Sequence, residues 1–461
     1  MTRMPVLPGP GANSDAVARR AEVVSRLTRR LLPLLFLLYV VAYVDRINIG
    51  FAALQMQSRL GLSSAGYGFA AGVFFAGYVV FQVPSNLALQ RIGARRWIAL
   101  LMIGWGLISS ALIFVRTPWH LYALRFLLGS AEAGFFPGVV FYLKSWFPST
   151  ARAKALALFA TAGPVSAVIT GPLSGTLLGI HRAGLAGWQW MFLLEGAPAV
   201  ILGAVAFLFL TNNPKEAHWL PLEQRSWLVA ELLQEDQEHQ LDNRGGIFNV
   251  FISLPVWLLV MVYFGVNSAG YGITFWLPSL IRSLSAAGSI EIGLISAIPY
   301  AAALIVMILA GAHSDKSGEH RWHIAVPAFL GALALISAAH STSVIALIAA
   351  LSVAVVAGFS ISGPFWALSA TVEPKQAAAS IALINALGNL GGLCGSYAIG
   401  ALKSSDTGFR NGIEAVGIAL GVAGGLVLLV RLRTRGVGHE QATTGALVSR
   451  SSKNKRRRDT F

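Results

Sequence analysis

Residues 32–54 read LPLLFLLYVVAYVDRINIGFAAL, an apolar run interrupted by two adjacent charges, Asp45 and Arg46. About 20 apolar residues in a helix are enough to cross the hydrocarbon core of a bilayer. A charge in the middle of such a helix costs roughly 2.5–3.5 kcal/mol on insertion scales, so charges there usually face a cavity and pair with one another. The stretch therefore predicts a membrane-spanning helix that lines a polar site.

Eleven further apolar segments of spanning length follow this one. The chain of 461 residues is 55% hydrophobic and only 12% charged, which is about half the charge of a typical soluble protein. These features predict an all-α, polytopic membrane protein with twelve transmembrane helices. The predicted spans are 32–54, 66–89, 97–115, 119–142, 153–179, 189–211, 253–280, 289–312, 323–340, 343–368, 376–401 and 411–432.

Two repeated sequence patterns relate the first half of the chain to the second. The loop QRIGARRW at 90–97 and the loop DKSGEHRW at 315–322 share Gly, Arg and Trp at an offset of 225 residues. Pro137 and Pro148 correspond to Pro364 and Pro374 at offsets of 227 and 226. The nearly constant offset indicates two pseudo-symmetric six-helix halves related by parallel duplication.

The repeat divides the chain into five predicted parts. These are a cytoplasmic N-terminal segment 1–31, an N-terminal six-helix bundle 32–211, a cytoplasmic linker 212–252, a C-terminal six-helix bundle 253–432 and a basic cytoplasmic tail 433–461. Within the linker, Leu222–Glu235 reads as a short amphipathic helix that lies along the membrane surface.

The placement of the basic residues predicts the orientation in the membrane. With both termini in the cytoplasm, 27 of the 35 Lys and Arg residues fall on the cytoplasmic side, six fall outside and two lie within apolar segments. This bias follows the positive-inside rule. We therefore interpret the net charge of +15 as an attraction to anionic lipid headgroups and not to nucleic acid. A bacterial inner (plasma) membrane is the expected location.

Composition also restricts the partners of the chain. The single cysteine, Cys394, allows no disulfide within the chain and no cysteine-based metal site. We expect no cofactor and no metal, and a monomer surrounded by the lipid bilayer.

The loop after the second span is similar to a signature of the major facilitator superfamily, G-x-L-a-D-R-x-G-R-R. Residues 85–96 read SNLALQRIGARR, with Ser85 where Gly is usual and Gln90 where Asp is usual, and the second-half copy keeps the acid as Asp315. In that superfamily the loop forms an ionic latch. The resemblance implies gating loops built from Gly93, Arg95, Arg96, Asp315, Gly318 and Arg321.

Four other stretches resemble the anion:cation symporter family within this superfamily. They are YVDRINIGFA at 43–52, VPSNL at 83–87, RFLLGSAEAGFFPG at 125–138 and WQWMFLLEG at 188–196. The resemblance covers about 30–435, and the subgroup that moves tartrate, phthalate, hydroxyphenylacetate and sugar acids is the most similar. It implies symport, in which a small organic anion is taken up together with protons.

Four charges inside the predicted spans are the main candidates for chemistry: Asp45, Arg46, Arg125 and Glu132. Arg125 and Glu132 are seven residues apart, so they share one helix face about 10 Å apart along the axis. We predict that they line one cavity at two depths. Asp45 and Arg46 are adjacent, hence about 100° apart around their helix, and both can face a cavity only if it wraps that helix.

The chemistry of these side chains suggests their roles. A guanidinium keeps its charge and can bind a carboxylate through two parallel hydrogen bonds, so Arg46 is the first candidate for binding the substrate and Arg125 the second. Alternatively, Arg125 only balances the charge of Glu132. Asp45 and Glu132 are candidate proton carriers because burial favours the neutral acid. The family resemblance points to the same two acids.

Polar and aromatic residues inside apolar runs are weaker candidates. Each could hydrogen-bond a substrate hydroxyl or stack on a ring, and each could equally be a contact between helices. They are Tyr43, Asn48, Tyr78, Gln82, Trp366, Asn385 and Asn389.

Two other function classes remain open. Proton-driven efflux of amphipathic compounds is one, since GPLSG at 171–175 partly resembles an antiporter signature, although two arginines favour anions. A non-transporting membrane sensor is the other, although no soluble signalling domain is visible. An enzyme is disfavoured because the sequence has no P-loop, no H-E-x-x-H and no G-x-S-x-G in a strand–turn–helix context.

Overall fold

The computed structural model describes residues 10–242, 248–373 and 376–430. The predicted basic tail, the first nine residues and Pro374 lie outside the described residues. Twelve of the described helices are long and apolar enough to cross a membrane, as predicted. Helices are expected here because lipid offers no hydrogen-bond partner to the peptide groups, which must pair within each span.

The spans are numbered α1 to α12 in chain order. They are α1 Ala18–Leu60, α2 Ser64–Ile92, α3 Ala94–Phe114, α4 Pro118–Lys144, α5 Ser149–Leu177, α6 Gly187–Phe209, α7 Leu254–Leu284, α8 Ser289–Ser317, α9 Trp322–Ala339, α10 Val344–Val372, α11 Ala379–Ala401 and α12 Arg410–Leu428. The first helix already begins at Pro10, well before the predicted start of the first span. No described residue lies in a regular β-strand.

Two spans are interrupted at the charged residues. The α1 span covers parts of two helices, Pro10–Ile47 and Ile49–Leu60, and the first of them ends directly after Arg46. The α4 span consists of Pro118–Glu132 and Phe135–Lys144, so its first piece ends at Glu132 itself. Discontinuous helices are a common way to build a binding site in the middle of a transporter.

The helix pairing has the symmetry that the sequence repeat predicts. The α2–α4 and α3–α6 contacts of the first half recur as α8–α10 and α9–α12 in the second half. The two halves meet mainly through α2 with α11 and α5 with α8, and the duplication exchanges these two contacts. The fold is therefore a pair of pseudo-symmetric six-helix halves, which confirms the prediction.

The halves pack most closely at one end of the bundle, which we call the far side. The terminal side is the opposite end, where α1 begins and α12 ends. At the far side a Cβ added to Gly171 of α5 would overlap the carbonyl oxygen of Gly293 of α8. A Cβ on Gly400 of α11 would likewise overlap the carbonyl oxygen of Ser64 of α2. Small residues thus let the backbones touch and close the far side.

The segment between the halves contains a helix over Leu222–Asp242, longer than the predicted amphipathic helix 222–235. We call it the linker helix. Arg20 of the α1 helix forms an ion pair with Glu231 of the linker helix at 2.9 Å. The Glu235 carboxylate accepts hydrogen bonds from the backbone N–H and the hydroxyl of Ser149, both at 2.8 Å. The linker helix is therefore bound to the first half at the terminal side.

Candidate functional site

A cavity of about 260 Å³ lies between the two halves. Side chains from both halves line it. It reaches Trp366 and Asn385, which lie about two turns from the terminal-side ends of α10 and α11. Among the described residues of its wall, Arg46 is the only Asp, Glu, Lys or Arg. The cavity thus presents a single cationic group.

Arg46 forms an ion pair with Glu132 beside the cavity. Its Nη2 lies 2.8 Å from Glu132 Oε2, and its Nε donates to the same oxygen at 3.2 Å. Its Nη1 donates to the hydroxyl of Tyr271, from the other half, at 3.3 Å. The Glu132 side chain is fully buried, whereas 10% of the Arg46 side chain is exposed. The guanidinium therefore faces the cavity and Glu132 lies behind it.

Aromatic rings surround the Arg46 guanidinium. Its central carbon lies 5.3 Å from the ring centroid of Phe74, 5.5 Å from that of Tyr78 and 5.8 Å from that of Tyr43. These distances allow cation–π attraction, which stabilises a cation in a place with little water. Tyr43 and Tyr78 also line the cavity, so the structure brings both predicted tyrosines to Arg46.

Arg125 does not line the cavity. It is fully buried, and its Nη2 donates to the backbone carbonyl oxygens of Arg46 and Ala71, both at 3.4 Å. Its guanidinium also lies 5.1 Å from the ring centroid of Phe74. Arg125 and Glu132 share a helix face as predicted, but the backbone of α1 binds Arg125, so it does not reach the cavity at a second depth.

Asp45 points away from Arg46 and from the cavity. It is fully buried, and its Oδ1 accepts a hydrogen bond from the hydroxyl of Ser109 on α3 at 2.8 Å. The angle of about 100° between adjacent helical residues explains this divergence. Because the cavity does not wrap around α1, only Arg46 of the two adjacent charges reaches it.

Two of the weaker candidates are buried outside the cavity wall. Asn48 is fully buried at the break in α1, where its backbone carbonyl accepts from Phe51 N at 2.9 Å. Gln82 on α2 is only 4% exposed. Neither side chain lines the cavity.

The second half supplies the other predicted candidates. Trp366, Asn385 and Asn389 all line the cavity. The Asn389 side-chain amide donates to Asn385 Oδ1 at 3.1 Å, so the two amides form one polar edge. The structure thus places six of the nine predicted substrate-binding residues in the cavity wall: Arg46, Tyr43, Tyr78, Trp366, Asn385 and Asn389.

 The other three predicted residues, Arg125, Asn48 and Gln82, do not line the cavity.

Several residues of the cavity wall were not predicted from the sequence. Tyr263, Asn267 and Tyr271 all line the cavity from α7. They are spaced four residues apart, so they share one helix face, and this polar and aromatic stripe in an apolar span is a signal that the sequence contained. Other unpredicted members of the wall are Tyr39, Phe136, Tyr300, Phe359 and Phe365.

The two predicted gating loops make similar contacts at the terminal side. The Arg95 backbone N–H donates to Asn212 Oδ1 at 3.2 Å, just after α6. Arg321 Nη1 donates to the carbonyl oxygen of Val430 at 3.2 Å, just after α12. Each arginine thus joins the start of one helix to the end of its packing partner. Arg96 and Asp315 are exposed.

Gly93 and Gly318 end the helices before these loops. Both have positive φ, with values of 87° and 66°. Positive φ favours glycine because it has no Cβ. The two glycines differ in ψ, which is 149° at Gly93 and 6° at Gly318, so they share the sign of φ but not the same turn.

Comparison with known proteins agrees with this architecture. Residues 35–396 match the sequence profile of the Major Facilitator Superfamily. An Agrobacterium vitis protein named "Putative tartrate transporter" is 43% identical over 424 residues, which are 92% of this chain and 96% of that protein. An Acinetobacter baumannii protein named "Quinolone resistance transporter" is 38% identical over 401 residues, 87% of this chain and 92% of that protein.

A solved structure shares the fold. The partially occluded inward-open form of the xylose transporter XylE from E. coli matches with a TM-score of 0.71 and 17% identity, covering 89% of this chain and 99% of that chain. The relative named for tartrate agrees with the predicted resemblance to the tartrate-type subgroup. Since the profile spans most of the chain, this protein belongs to the major facilitator superfamily.

Proposed function

We propose that this protein takes up a small organic anion together with protons, by alternating access. The observation that carries the proposal is the Arg46–Glu132 ion pair, with Nη2 and Oε2 2.8 Å apart and Arg46 facing the cavity. A guanidinium at the wall of an enclosed space is suited to binding a carboxylate. The glutamate behind it is suited to exchanging a proton.

The ion pair offers a simple way to couple the two solutes. While Glu132 is charged, two of the three Arg46 nitrogens donate to it. When Glu132 takes up a proton, its hold on the guanidinium weakens and a substrate carboxylate can replace it. The anion and the proton then bind together, and the site is neutral in the loaded state. A neutral site favours the movement of the two halves relative to each other, because a buried unpaired charge is costly.

Asp45 is the second proposed proton carrier. Its hydrogen bond in the structure comes from a neutral hydroxyl, that of Ser109. A neutral carboxyl group suits this buried position, because an unpaired charge there would be costly. Because Asp45 lies away from the cavity, its proton would act on the packing of α1 against α3 and not on the substrate directly.

The orientation of the protein is part of the proposal. With both termini in the cytoplasm of a bacterial cell and the protein a monomer in the inner membrane, the far side faces outward and is closed. The cavity then faces the cytoplasm. Substrate release would occur from this state, and the halves 32–211 and 253–432 would rock about the cavity, joined by the linker 212–252.

Efflux of amphipathic compounds is a second candidate. The aromatic cavity wall and the relative named for quinolone resistance favour it. The position of Arg46 favours an anion in either direction, because a guanidinium in the wall would repel a cationic drug. Direction of transport separates the two proposals.

Uptake into proteoliposomes under an imposed pH gradient tests the proposal. The purified protein should accumulate a labelled organic acid when the outside is more acidic, and an uncoupler should abolish accumulation. Accumulation that ignores the gradient would rule out proton coupling. Export of amphipathic compounds without uptake of any acid would instead support efflux.

Two conservative variants test the proton carriers. Asp45→Asn and Glu132→Gln should lose uphill uptake. Both variants are also assayed for exchange of substrate across the membrane, which needs no net proton movement. We expect exchange to continue in both. Gradient-driven accumulation by both variants would contradict the assignment of these two acids.

A further inference from the structure

We infer that the cavity selects an aromatic monocarboxylate over a hydroxylated dicarboxylate. The inference rests on the proposed transport of organic anions and names the substrate class of the same site. It follows from the number of cations that the cavity presents, from the free donors on that cation and from the rings on the opposite wall.

The cavity can balance one negative charge. Arg46 is the only charged residue in its described wall. The other nearby arginine, Arg125, is fully buried, and its contacts are with backbone carbonyl oxygens of Arg46 and Ala71. A substrate with two carboxylates would therefore leave one of them in the cavity without a cation. Burying that unpaired charge when the halves close over the substrate is strongly unfavourable.

The donors on Arg46 also limit the ligand. Its Nε and Nη2 donate to Glu132, and Nη1 lies 3.3 Å from the Tyr271 hydroxyl. A carboxylate entering from the cavity meets Nη1 and this hydroxyl first. The pair of donors can hold one carboxylate group, with one oxygen on each.

The wall contributed by the second half is suited to a flat ring. Tyr263 stacks on Phe365 with centroids 5.0 Å apart and an interplanar angle of 15°, and it meets Trp366 edge to face at 5.0 Å. All three line the cavity. Aromatic rings attract one another beyond the effect of the area that they bury. A hydroxylated aliphatic chain would gain little from these faces.

The other polar groups of the wall are neutral, and Asn267, Thr274 and Ser362 are among them. Asn385 and Asn389 are amides joined to each other at 3.1 Å. They can bond a ring nitrogen or hydroxyl but cannot balance a second charge. The cavity volume of about 260 Å³ lies just below the range of drug-sized pockets, which suits a single substituted ring.

Four organic acids, used as test substrates, separate the effect of substrate charge from the effect of an aromatic ring. Benzoate is an aromatic monoanion, phthalate an aromatic dianion, gluconate a hydroxylated monoanion and tartrate a hydroxylated dianion at neutral pH. Each is tested in proteoliposomes for uptake driven by a pH gradient and for competition with the others. We expect benzoate to be preferred, roughly tenfold or more over tartrate, with phthalate and gluconate between them.

Trp366→Leu tests the aromatic wall, and Trp119→Leu is the matched control because Trp119 is 77% exposed at the far-side end of α4. The Trp366 variant should lose about tenfold in benzoate competition and much less in gluconate competition, while the control changes neither. Preference for tartrate, or equal losses for benzoate and gluconate, would overturn the inference and leave the proposed symport intact. Absence of driven uptake for all four acids in the unmodified protein would overturn both.

Discussion

Gly171 and Gly293 meet backbone to backbone where α5 crosses α8. A Cβ on either glycine would overlap the carbonyl oxygen of the other. The sequence repeat has an offset of 225 residues, which maps this pair onto Ser396 and Gly68. These two residues lie where α11 crosses α2, and a Cβ on Gly68 would overlap the carbonyl oxygen of Ser396. Two equivalent crossings therefore close the far side, and each depends on the absence of a side chain.

Gly171→Val should weaken this closure. The added side chain would force the backbones apart, and overpacking of this kind costs roughly 1–3 kcal/mol. We expect the protein to shift toward a state that is open at the far side. A Ser396→Cys reporter in a Cys394→Ser background measures this, because Ser396 is fully buried at the other crossing. Labelling by an impermeant maleimide from the far side should be about tenfold faster.

Gly104→Val provides the control, since a Cβ there has open space with no heavy atom within 4 Å. It should leave the labelling rate of the reporter unchanged. Equal labelling rates in the Gly171 and Gly104 variants would mean that the glycine crossing does not hold the far side closed.

Arg46→Met should destabilise the protein by leaving Glu132 buried without its cation. Removing one partner of a buried ion pair costs about 3–5 kcal/mol. The double variant Arg46→Met with Glu132→Gln should recover most of that stability, although neither variant should transport. Thermal unfolding in detergent measures the difference in stability between the two variants. If the double variant is no more stable than Arg46→Met alone, the loss of stability does not come from leaving Glu132 without its partner.

The contact of the linker helix with α5 should depend on pH. Burial raises the pKa of Glu235, but hydrogen bonds from Ser149 and the ion pair with Arg152, at 2.9 Å, outweigh it and lower the pKa below its usual value. A lowered pKa in the folded state means that the contact is complete above the ordinary carboxyl pKa of about 4.3 and is lost as the pH falls through the lowered value.

Hydrogen exchange of the linker helix checks this prediction. Its amides should be protected from neutral pH down to about pH 4 and lose protection only in stronger acid. Glu235→Gln should lose protection at every pH, because the amide cannot keep the charge-assisted bonds. Equal protection in the variant and the unmodified protein at neutral pH would contradict the role of Glu235.

Gly93 and Gly318 should differ in their tolerance of asparagine. Gly318 has φ 66° and ψ 6°, a left-handed conformation that Asn can adopt, and a Cβ there meets nothing within 4 Å. Gly93 has φ 87° and ψ 149°, a region almost restricted to glycine, and a Cβ there would lie 2.9 Å from Asn212 Oδ1. Gly93→Asn should therefore cost about 1–3 kcal/mol and Gly318→Asn much less, as judged by thermal unfolding.

The sequence contained enough information for the membrane-spanning fold. Hydropathy predicted twelve spans, because each crossing must bury about 20 residues in lipid whatever its neighbours are. The pattern shared by the loops at 93 and 318 predicted the duplication, and both loops have a glycine at a positive φ. The polar stripe of Tyr263, Asn267 and Tyr271 was also present in the sequence, yet hydropathy did not single it out.

The direction of each charged side chain was decided only by the tertiary structure. The sequence predicted that Asp45, Arg46, Arg125 and Glu132 lie inside the membrane and pair, and this followed from the cost of isolated charges in lipid. It could not tell that Arg46 reaches the cavity while Arg125 binds the backbone of α1 and Asp45 binds Ser109. Those contacts depend on how the helices rotate and pack against partners far away in the chain, which no local pattern records.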